Sequence, residues 1–138
     1  MEKRVIVLLV ENEPDYAAMV REAIQGISTP HEVHAVQSGE DAIAYLSGEG
    51  QFADRAMYPL PLLLLLDLKM PGIGGAGVLR WLQAHPQPEL NVVVLSSMQS
   101  SEEMAAACQL GAQIYWVKPD CLALQEKLVR LEGNILPV

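Results

Sequence analysis

The sequence is poor in cysteine, in basic residues and in long apolar runs. Its two cysteines, Cys108 and Cys121, form no C-x-x-C pair and give no disulfide framework, so a reducing compartment is expected. Nine Lys and Arg are scattered among 17 Asp and Glu, which argues against a nucleic-acid surface. No apolar run approaches the roughly 20 residues of a membrane span. These absences predict a soluble, cytoplasmic protein that binds neither nucleic acid nor membrane.

Short aliphatic segments of strand length recur along the chain. They span residues 4–10, 33–36, 62–67, 91–95 and 113–117. With 138 residues, of which 51% are hydrophobic, the chain is long enough for one buried core and too short for two ordinary domains. We therefore expect a single domain over residues 1–138.

Amphipathic segments separate these strands. Pro14 suits a first helical turn, and Ser38 and Ser100 each begin a capping-box pattern with an acid three residues later. Residues 75–84 and 122–131 are the remaining helical segments. The regular alternation of strands and helices predicts a parallel α/β sheet with helices on both faces.

Two segments fall outside this alternation. Residues 48–61 are longer and more irregular than a usual connection from a helix to a strand. They predict a surface excursion pinned by Tyr58 and two prolines. Residues 133–138 are expected to form a short tail, and we expect no output domain after the fifth helix.

Polar side chains follow four of the predicted strands at their carboxyl ends. They are Glu11, Asn12 and Glu13, then Asp67, then Ser96 and Ser97, and finally Lys118 before Pro119. In an open parallel sheet, ligands bind beyond this edge. Oxygen ligands suit Mg²⁺, while lysine and serine can contact phosphoryl oxygens. The grouping predicts a phosphoryl site in which Asp67 is the nucleophile and forms an aspartyl phosphate.

The loop after Asp67 contains Gly72, Gly74 and Gly77 in the spacing G-x-G-x-x-G of a dinucleotide-binding turn. That fingerprint requires its glycines directly after the first strand, with an acid at the end of the next strand. Here residues 69–71 intervene, the strand is the third, and the next strand ends in serine. The glycines therefore indicate a flexible loop that leads into a helix.

Four motifs occur together in the order and spacing of a known family. They are VENEP at 10–14, DLKMP at 67–71 followed by Gly75, VLSS at 94–97, and YWVKP at 115–119 after Gly111-Ala112. The chain resembles the receiver domain of two-component response regulators over nearly its whole length. Residues 48–61, which end in YPLP, are similar to the stand-alone receivers related to phytochrome-associated regulators. The resemblance implies a flavodoxin-like, doubly wound sheet of five parallel strands in the order 2-1-3-4-5.

The resemblance also implies an acceptor and a metal site. Asp67 would accept a phosphoryl group from a phosphohistidine on a sensor histidine kinase or a phosphotransfer protein. Glu11, Asp67 and the backbone carbonyl of Lys69 would bind Mg²⁺, with Asn12 at the remaining ligand position.

Further residues match the positions that respond to phosphorylation in this family. Ser96 and Lys118 would bind the phosphoryl oxygens, and Tyr115 lies at the position of the switch aromatic. The bond from Lys118 to Pro119 would be cis, which is tolerable before proline. Met98, two residues beyond Ser96, is expected to slow loss of the phosphoryl group.

Asn12 departs from the family pattern, in which the second acidic position is usually aspartate. An amide keeps an oxygen ligand but loses a full charge. Two unit charges 4 Å apart interact by about 4 kcal/mol at an effective dielectric constant near 20. We therefore expect Mg²⁺ to bind more weakly and phosphorylation to need more Mg²⁺ than in a typical relative.

The resemblance implies a signalling domain, not an enzyme. Its output would be self-association as a homodimer, or docking to a partner, through the face formed by helix four, strand five and helix five. The alternative is a pseudo-receiver that docks constitutively without phosphorylation, with Asn12 as its mark. The intact set of Asp67, Ser96 and Lys118 argues against that alternative. A small flavodoxin-like enzyme for a nucleotide or flavin is a third hypothesis, which the lack of a P-loop motif disfavours.

Overall fold

The computed structural model describes residues 4–97 and 100–135. Within them, five strands form one parallel sheet in the order β2-β1-β3-β4-β5. The strands are β1 (Val5–Val10), β2 (His31–Val36), β3 (Leu63–Asp67), β4 (Asn91–Ser96) and β5 (Ile114–Val117). The predicted flavodoxin-like order is confirmed.

The helices of the described residues pack on both faces of this sheet. They are α1 (Pro14–Gln25), α2 (Gly39–Ser47), α3 (Gly74–Ala84), α4 (Ser101–Gln109) and α5 (Cys121–Ile135). Ser38 and Ser100 form the predicted N-caps, since their Oγ atoms accept the backbone N–H of Asp41 at 3.1 Å and of Glu103 at 3.3 Å. In the ranges described, no helix combines the length and the apolar character that crossing a membrane requires.

Strand β3 lies at the centre of the sheet, and Leu63 to Leu66 are fully buried. Leu64 and Leu66 belong to the core beneath α2 and α3, whereas Leu63 and Leu65 belong to the core beneath α1 and α5. A strand covered on both faces needs aliphatic side chains on both, which explains the unbroken leucine run. This rigid strand delivers Asp67 to the carboxyl edge of the sheet.

The excursion at residues 48–61 is folded back onto α2. It contains a short 3-10 helix (Gly50–Phe52), and Phe52 is buried against Tyr45 and Tyr58, with ring centroids 5.2 and 5.1 Å away. Arg55 donates hydrogen bonds to the carbonyls of Tyr45 and Leu46 at the end of α2. Tyr58 therefore anchors the segment as predicted, together with two contacts that the sequence did not indicate.

Two local expectations are wrong. Every peptide bond in residues 4–97 and 100–135 is trans, including the bond from Lys118 to Pro119. The trans form is favoured by about 0.5–1 kcal/mol before proline, and Lys118 reaches the sheet edge without the rarer isomer. Helix α5 continues to Ile135, so residues 133–135 are helical and do not form a tail. Residues 136–138 lie outside the described ranges.

Candidate functional site

Three predicted site residues are buried side by side at the carboxyl edge of the sheet. Glu11 follows β1, Asp67 ends β3 and Ser96 ends β4, with exposed fractions of 2%, 3% and 0%. Asp67 pairs in register with Leu95, the residue before Ser96. Two acids removed from water are costly unless a positive charge or a metal accompanies them, so this edge requires a cation.

Lys118 supplies a positive charge from the end of β5. Its Nζ lies 3.0 Å from Oε1 of Glu11 and 3.5 Å from Oδ2 of Asp67. The backbone N–H of Lys118 donates to the carbonyl of Ser96 at 2.6 Å, which fixes the chain at the sheet edge. The structure therefore brings the predicted acceptor, the predicted acid and the predicted lysine into one buried cluster.

The cluster shifts the protonation of its members. Burial, reinforced by repulsion from Glu11, raises the pKa of Asp67 to about 6, even though Lys118 works against the shift. Burial disfavours a charged Lys118, but its hydrogen bond to Glu11 and the charge of Asp67 outweigh that effect and raise its pKa. The acids thus hold the ammonium charged, and one ammonium leaves the two-acid pair incompletely neutralised.

The donor set fits a divalent cation held by few protein ligands. Oε1 of Glu11 is buried, and Nζ of Lys118 contacts it at 3.0 Å. In residues 4–97 and 100–135, no three His, Cys, Asp or Glu side chains converge as a metal cluster. Mg²⁺ does not need such a cluster, because it keeps several waters and uses one or two carboxylates. Glu11 and Asp67 are such a pair.

The other two predicted metal ligands lie on loops beside this pair. Asn12 is exposed directly after Glu11. Lys69 follows Asp67, and its backbone N–H donates to Oδ1 of Asp67 at 3.2 Å. A similar contact stiffens the first loop, where the N–H of Glu13 donates to Oε2 of Glu11 at 3.1 Å. Both acids are thus held by the backbone of the residue two positions on.

Tyr16 in α1 belongs to the cluster, although no motif in the sequence pointed to it. Its hydroxyl donates to the carbonyl of Pro119 at 2.9 Å, and its ring centroid lies 4.7 Å from Nζ of Lys118. Burial and the nearby charge of Glu11 raise the pKa of the phenol, which therefore stays protonated and donates. Tyr16 connects the first helix to the loop that carries the lysine.

Ser96 and Tyr115 meet at a second carboxylate, that of Glu103 in α4. The hydroxyls of Ser96 and Tyr115 lie 2.9 and 3.3 Å from Oε2 of Glu103, and Nζ of Lys69 lies 3.1 Å from Oε1. Partial burial acts to raise the pKa of Glu103, but the hydrogen bonds from Lys69 and Ser96 outweigh that effect and lower it. The capping-box pattern predicted this acid only as a partner of the helix end.

The glycines after Asp67 allow backbone conformations and close approaches that other residues would not. Gly74 has φ of 65°, a left-handed conformation that favours glycine. A Cβ at Gly75 would lie 2.6 Å from the carbonyl oxygen of Asp67, so only glycine lets α3 start this close to β3. Of the three motif glycines, Gly72 lies in the loop before α3 as predicted, whereas Gly74 and Gly77 belong to the helix itself. Met98, for which a role in phosphoryl lifetime was expected, lies outside the described residues.

Comparison with known sequences identifies one family and several solved relatives. Residues 7–129 match the family model described as the response regulator receiver domain. Response regulator Rcp1 of Synechocystis sp. is 29% identical over 114 residues, which cover 82% of this chain and 76% of Rcp1. Other relatives are longer: the chain spans 34% of a protein-glutamate methylesterase/protein-glutamine glutaminase of Myxococcus xanthus, with 32% identity.

Solved structures of phytochrome response regulators share the fold. The phosphorylated cyanobacterial phytochrome response regulator RcpA is 30% identical, with a TM-score of 0.81 over 97% of this chain and 95% of RcpA. RPA3017, a response regulator in red light signaling of R. palustris, is 29% identical, with a TM-score of 0.85 over 95% of this chain and 93% of RPA3017. The Mn²⁺-bound form of Rcp1 is 27% identical, with a TM-score of 0.76 over 96% of each chain.

Proposed function

Because the chain belongs to the family of response regulator receiver domains, we propose that it is a phosphoacceptor switch of a two-component phosphorelay. Asp67 accepts a phosphoryl group from the phosphohistidine of a sensor histidine kinase or a phosphotransfer protein. A new bond joins a carboxylate oxygen of Asp67 to phosphorus while the bond from phosphorus to the histidine nitrogen breaks. The contact of the Lys118 ammonium with the two buried carboxylates of Asp67 and Glu11 is the observation that carries the proposal.

The charges of the cluster support this chemistry. Lys118 lies where it can meet the oxygens of a phosphoryl group on Asp67, since its Nζ is 3.5 Å from Oδ2. Ser96 ends the neighbouring strand and carries a hydroxyl donor for the same oxygens. The low exposure of Asp67 excludes bulk water and strengthens these interactions.

Glu11, Asp67, the backbone carbonyl of Lys69 and the amide of Asn12 would bind Mg²⁺. When bound, the metal neutralises negative charge on the acids and on the incoming phosphate. The buried carboxylates of Glu11 and Asp67, which share the single ammonium of Lys118, support this assignment, as does the existence of a Mn²⁺-bound form of the relative Rcp1. The amide at Asn12 makes this a weaker site than one with a third acid, so phosphorylation has a high Mg²⁺ requirement.

The output is a protein contact on the face formed by α4, β5 and α5. Met104 on α4 and Val117 on β5 are exposed apolar side chains there, at 37% and 42%. Tyr115 lies in the strand between those helices and changes position when Ser96 turns to the phosphoryl group. The domain is thus a phosphoacceptor that acts through self-association or a partner, and has no substrate turnover of its own.

A constitutive docking module that is never phosphorylated is the second candidate. One observation favours it: Lys118 already supplies a cation to Glu11 and Asp67, and Asn12 has removed the third acid. In that case the cluster would be a structural ion pair. The two candidates differ in whether Asp67 is ever modified.

Intact-protein mass spectrometry after incubation with acetyl phosphate and increasing Mg²⁺ separates these candidates. We expect one added phosphoryl group whose yield rises with Mg²⁺. The increment disappears in Asp67→Asn and persists in Glu13→Gln, which removes an exposed acid from the adjacent loop. No increment at any Mg²⁺ concentration, with acetyl phosphate or a phosphorylated histidine kinase, would establish the docking module.

A further inference from the structure

Glu103 joins three groups that come from three different elements. Oε2 faces the hydroxyl of Ser96 at the end of β4 and that of Tyr115 in β5, at 2.9 and 3.3 Å. Oε1 forms an ion pair of 3.1 Å with Nζ of Lys69, in the loop after β3. One carboxylate on α4 therefore contacts groups from β4, β5 and the loop that follows Asp67.

The capping of α4 does not require this carboxylate. Ser100 already accepts the backbone N–H of Glu103 at 3.3 Å. In a complete capping box, the acid at that position would turn back to the backbone of the capping residue. Here the backbone of Glu103 is fixed by the cap while its side chain points along the rim. Its position is therefore set by the helix end and its contacts by the switch residues.

We propose that Glu103 is the internal anionic partner of Ser96 in the unphosphorylated protein. When Asp67 is phosphorylated, the phosphoryl group replaces Glu103 as the acceptor of the Ser96 hydroxyl. This inference rests on the proposed function. Glu103 is a positioning residue that keeps Ser96, Tyr115 and Lys69 in the unphosphorylated arrangement. Loss of these contacts would release the first turn of α4, which carries Glu103.

The exchange follows from the donor capacity of a hydroxyl. Ser96 has one O–H and donates to one strong acceptor at a time, so it meets either the carboxylate of Glu103 or a phosphoryl oxygen. A phosphoryl group brings about 1.5 to 2 negative charges to the same rim. The negative phosphoryl group repels Glu103 and also accepts the hydrogen bond of Ser96 in its place. Both effects favour movement of Glu103 away from the rim.

Loss of Glu103 from the rim frees more than Ser96. The hydroxyl of Tyr115 loses its contact with Oε2, and the first turn of α4 loses its tether to β4 and β5. A change at Asp67 thus reaches α4 and β5 together, because one side chain connects them. Substitution of Glu103 should produce part of the same release without a phosphoryl group.

The test compares Glu103→Gln with Glu102→Gln. Both variants remove one negative charge from the first turn of α4, but Glu102 is exposed. Beryllium fluoride with Mg²⁺ serves as a stable analogue of the phosphoryl group, and its affinity is measured by titration. We expect Glu103→Gln to bind the analogue about fivefold or more tightly than the wild type, the lower range of allosteric coupling. Glu102→Gln should bind it as the wild type does.

Hydrogen exchange of α4 gives a second readout. Without the analogue, backbone amides of residues 101–109 should exchange faster in Glu103→Gln than in Glu102→Gln, and Glu103→Ala should show the same increase. If the wild type binds the analogue and Glu103→Gln binds it equally or more weakly, this inference is overturned and the proposed function is not. A wild type that neither binds the analogue nor gains a phosphoryl group overturns the proposed function and this inference with it.

Discussion

The carboxylate of Asp67 lies close to the carboxylate of Glu11 and to the ammonium of Lys118. The opposing effects of these two charges determine whether Asp67 is protonated. Burial and the charge of Glu11 raise the pKa of Asp67 and favour the protonated form, while Lys118 favours the charged form that a nucleophile needs. A bound cation would shift that balance towards the charged form. We propose that Asn12 weakens the binding of such a cation, because an amide at that position contributes no charge.

The substitution Asn12→Asp should strengthen Mg²⁺ binding. A third acid beside Glu11 and Asp67 adds attraction of about 4 kcal/mol for charges 4 Å apart, of which desolvation removes a large part. We expect the Mg²⁺ concentration for half-maximal phosphorylation by acetyl phosphate to fall at least about tenfold, equivalent to 1.4 kcal/mol. Glu13→Gln is the control and should leave it unchanged. An unchanged requirement in Asn12→Asp would show that residue 12 does not contact the metal.

Tyr16 offers a residue-scale test of how Lys118 is positioned. Tyr16→Phe removes the hydrogen bond to Pro119 but keeps the ring beneath Nζ, whereas Tyr16→Leu removes both. We expect the rate of phosphorylation at saturating acetyl phosphate to fall about twofold to fivefold in Tyr16→Phe, and further in Tyr16→Leu. Equal rates in all three proteins would mean that Lys118 is held by the two acids alone.

Strand β2 and helix α5 are joined by a buried ion pair far from the acceptor. His31 Nε2 lies 2.8 Å from Oε2 of Glu132, and Nδ1 lies 2.6 Å from the carbonyl of Thr29. Both ring nitrogens face acceptors, so the doubly protonated ring fits the site. Burial opposes the charge, but the hydrogen bond and the charge of Glu132 prevail and raise the pKa of His31.

This pair makes part of the stability of the fold depend on pH. An unfolded histidine titrates near pH 6.5, so the contribution of the pair is complete below that pH and is lost as pH rises through the higher folded pKa. We expect Glu132→Gln to lower the free energy of unfolding in urea by about 2 kcal/mol near pH 6. The difference should shrink near pH 9, while the exposed control Glu126→Gln stays within about 0.5 kcal/mol of the wild type. A deficit that is the same at both pH values would contradict the charged pair.

The helices and strands were predictable where they depend on interactions between residues that are close in the sequence. The leucine run of β3 and the serine caps of α2 and α4 depend on neighbouring residues, and both were recovered. The contact between His31 and Glu132 joins residues 101 positions apart, and no spacing rule reports it. The capping pattern correctly described the backbone of Glu103 but gave no direction for its side chain, which tertiary contacts decide.

The candidate site was predictable as a set of residues, but its pairwise contacts were not. Parallel strands deliver their carboxyl ends to one edge, and this places Glu11, Asp67, Ser96 and Lys118 together. Which of them touch depends on side-chain reach: Lys118 extends to the two acids, whereas Ser96 donates to Glu103. The expectation of a cis bond before Pro119 was wrong. The bond is trans, and Lys118 reaches the carboxyl edge of the sheet in that form.

At the scale of the whole molecule, the proposed switch requires a surface that responds to phosphorylation of Asp67. If the output is self-association through α4, β5 and α5, beryllium fluoride with Mg²⁺ should shift the sedimentation of the protein towards a dimer. Val117→Ser should prevent the shift, and Val129→Ser should not, because Val129 is as exposed but lines the groove between α1 and α5. A monomer under all conditions would assign the output to a different partner, and a dimer unaffected by Val117→Ser would place the contact on another face.

The most direct test of the proposed phosphoacceptor locates the phosphoryl group itself. The protein is phosphorylated with acetyl phosphate and Mg²⁺ and then treated with borohydride, which reduces an aspartyl phosphate to homoserine. Peptide mass spectrometry then identifies the converted residue. We predict conversion at Asp67, and none in protein that was not phosphorylated. Conversion at any other residue, or none in protein that carries the added phosphoryl mass, would contradict the assignment of Asp67 as the acceptor.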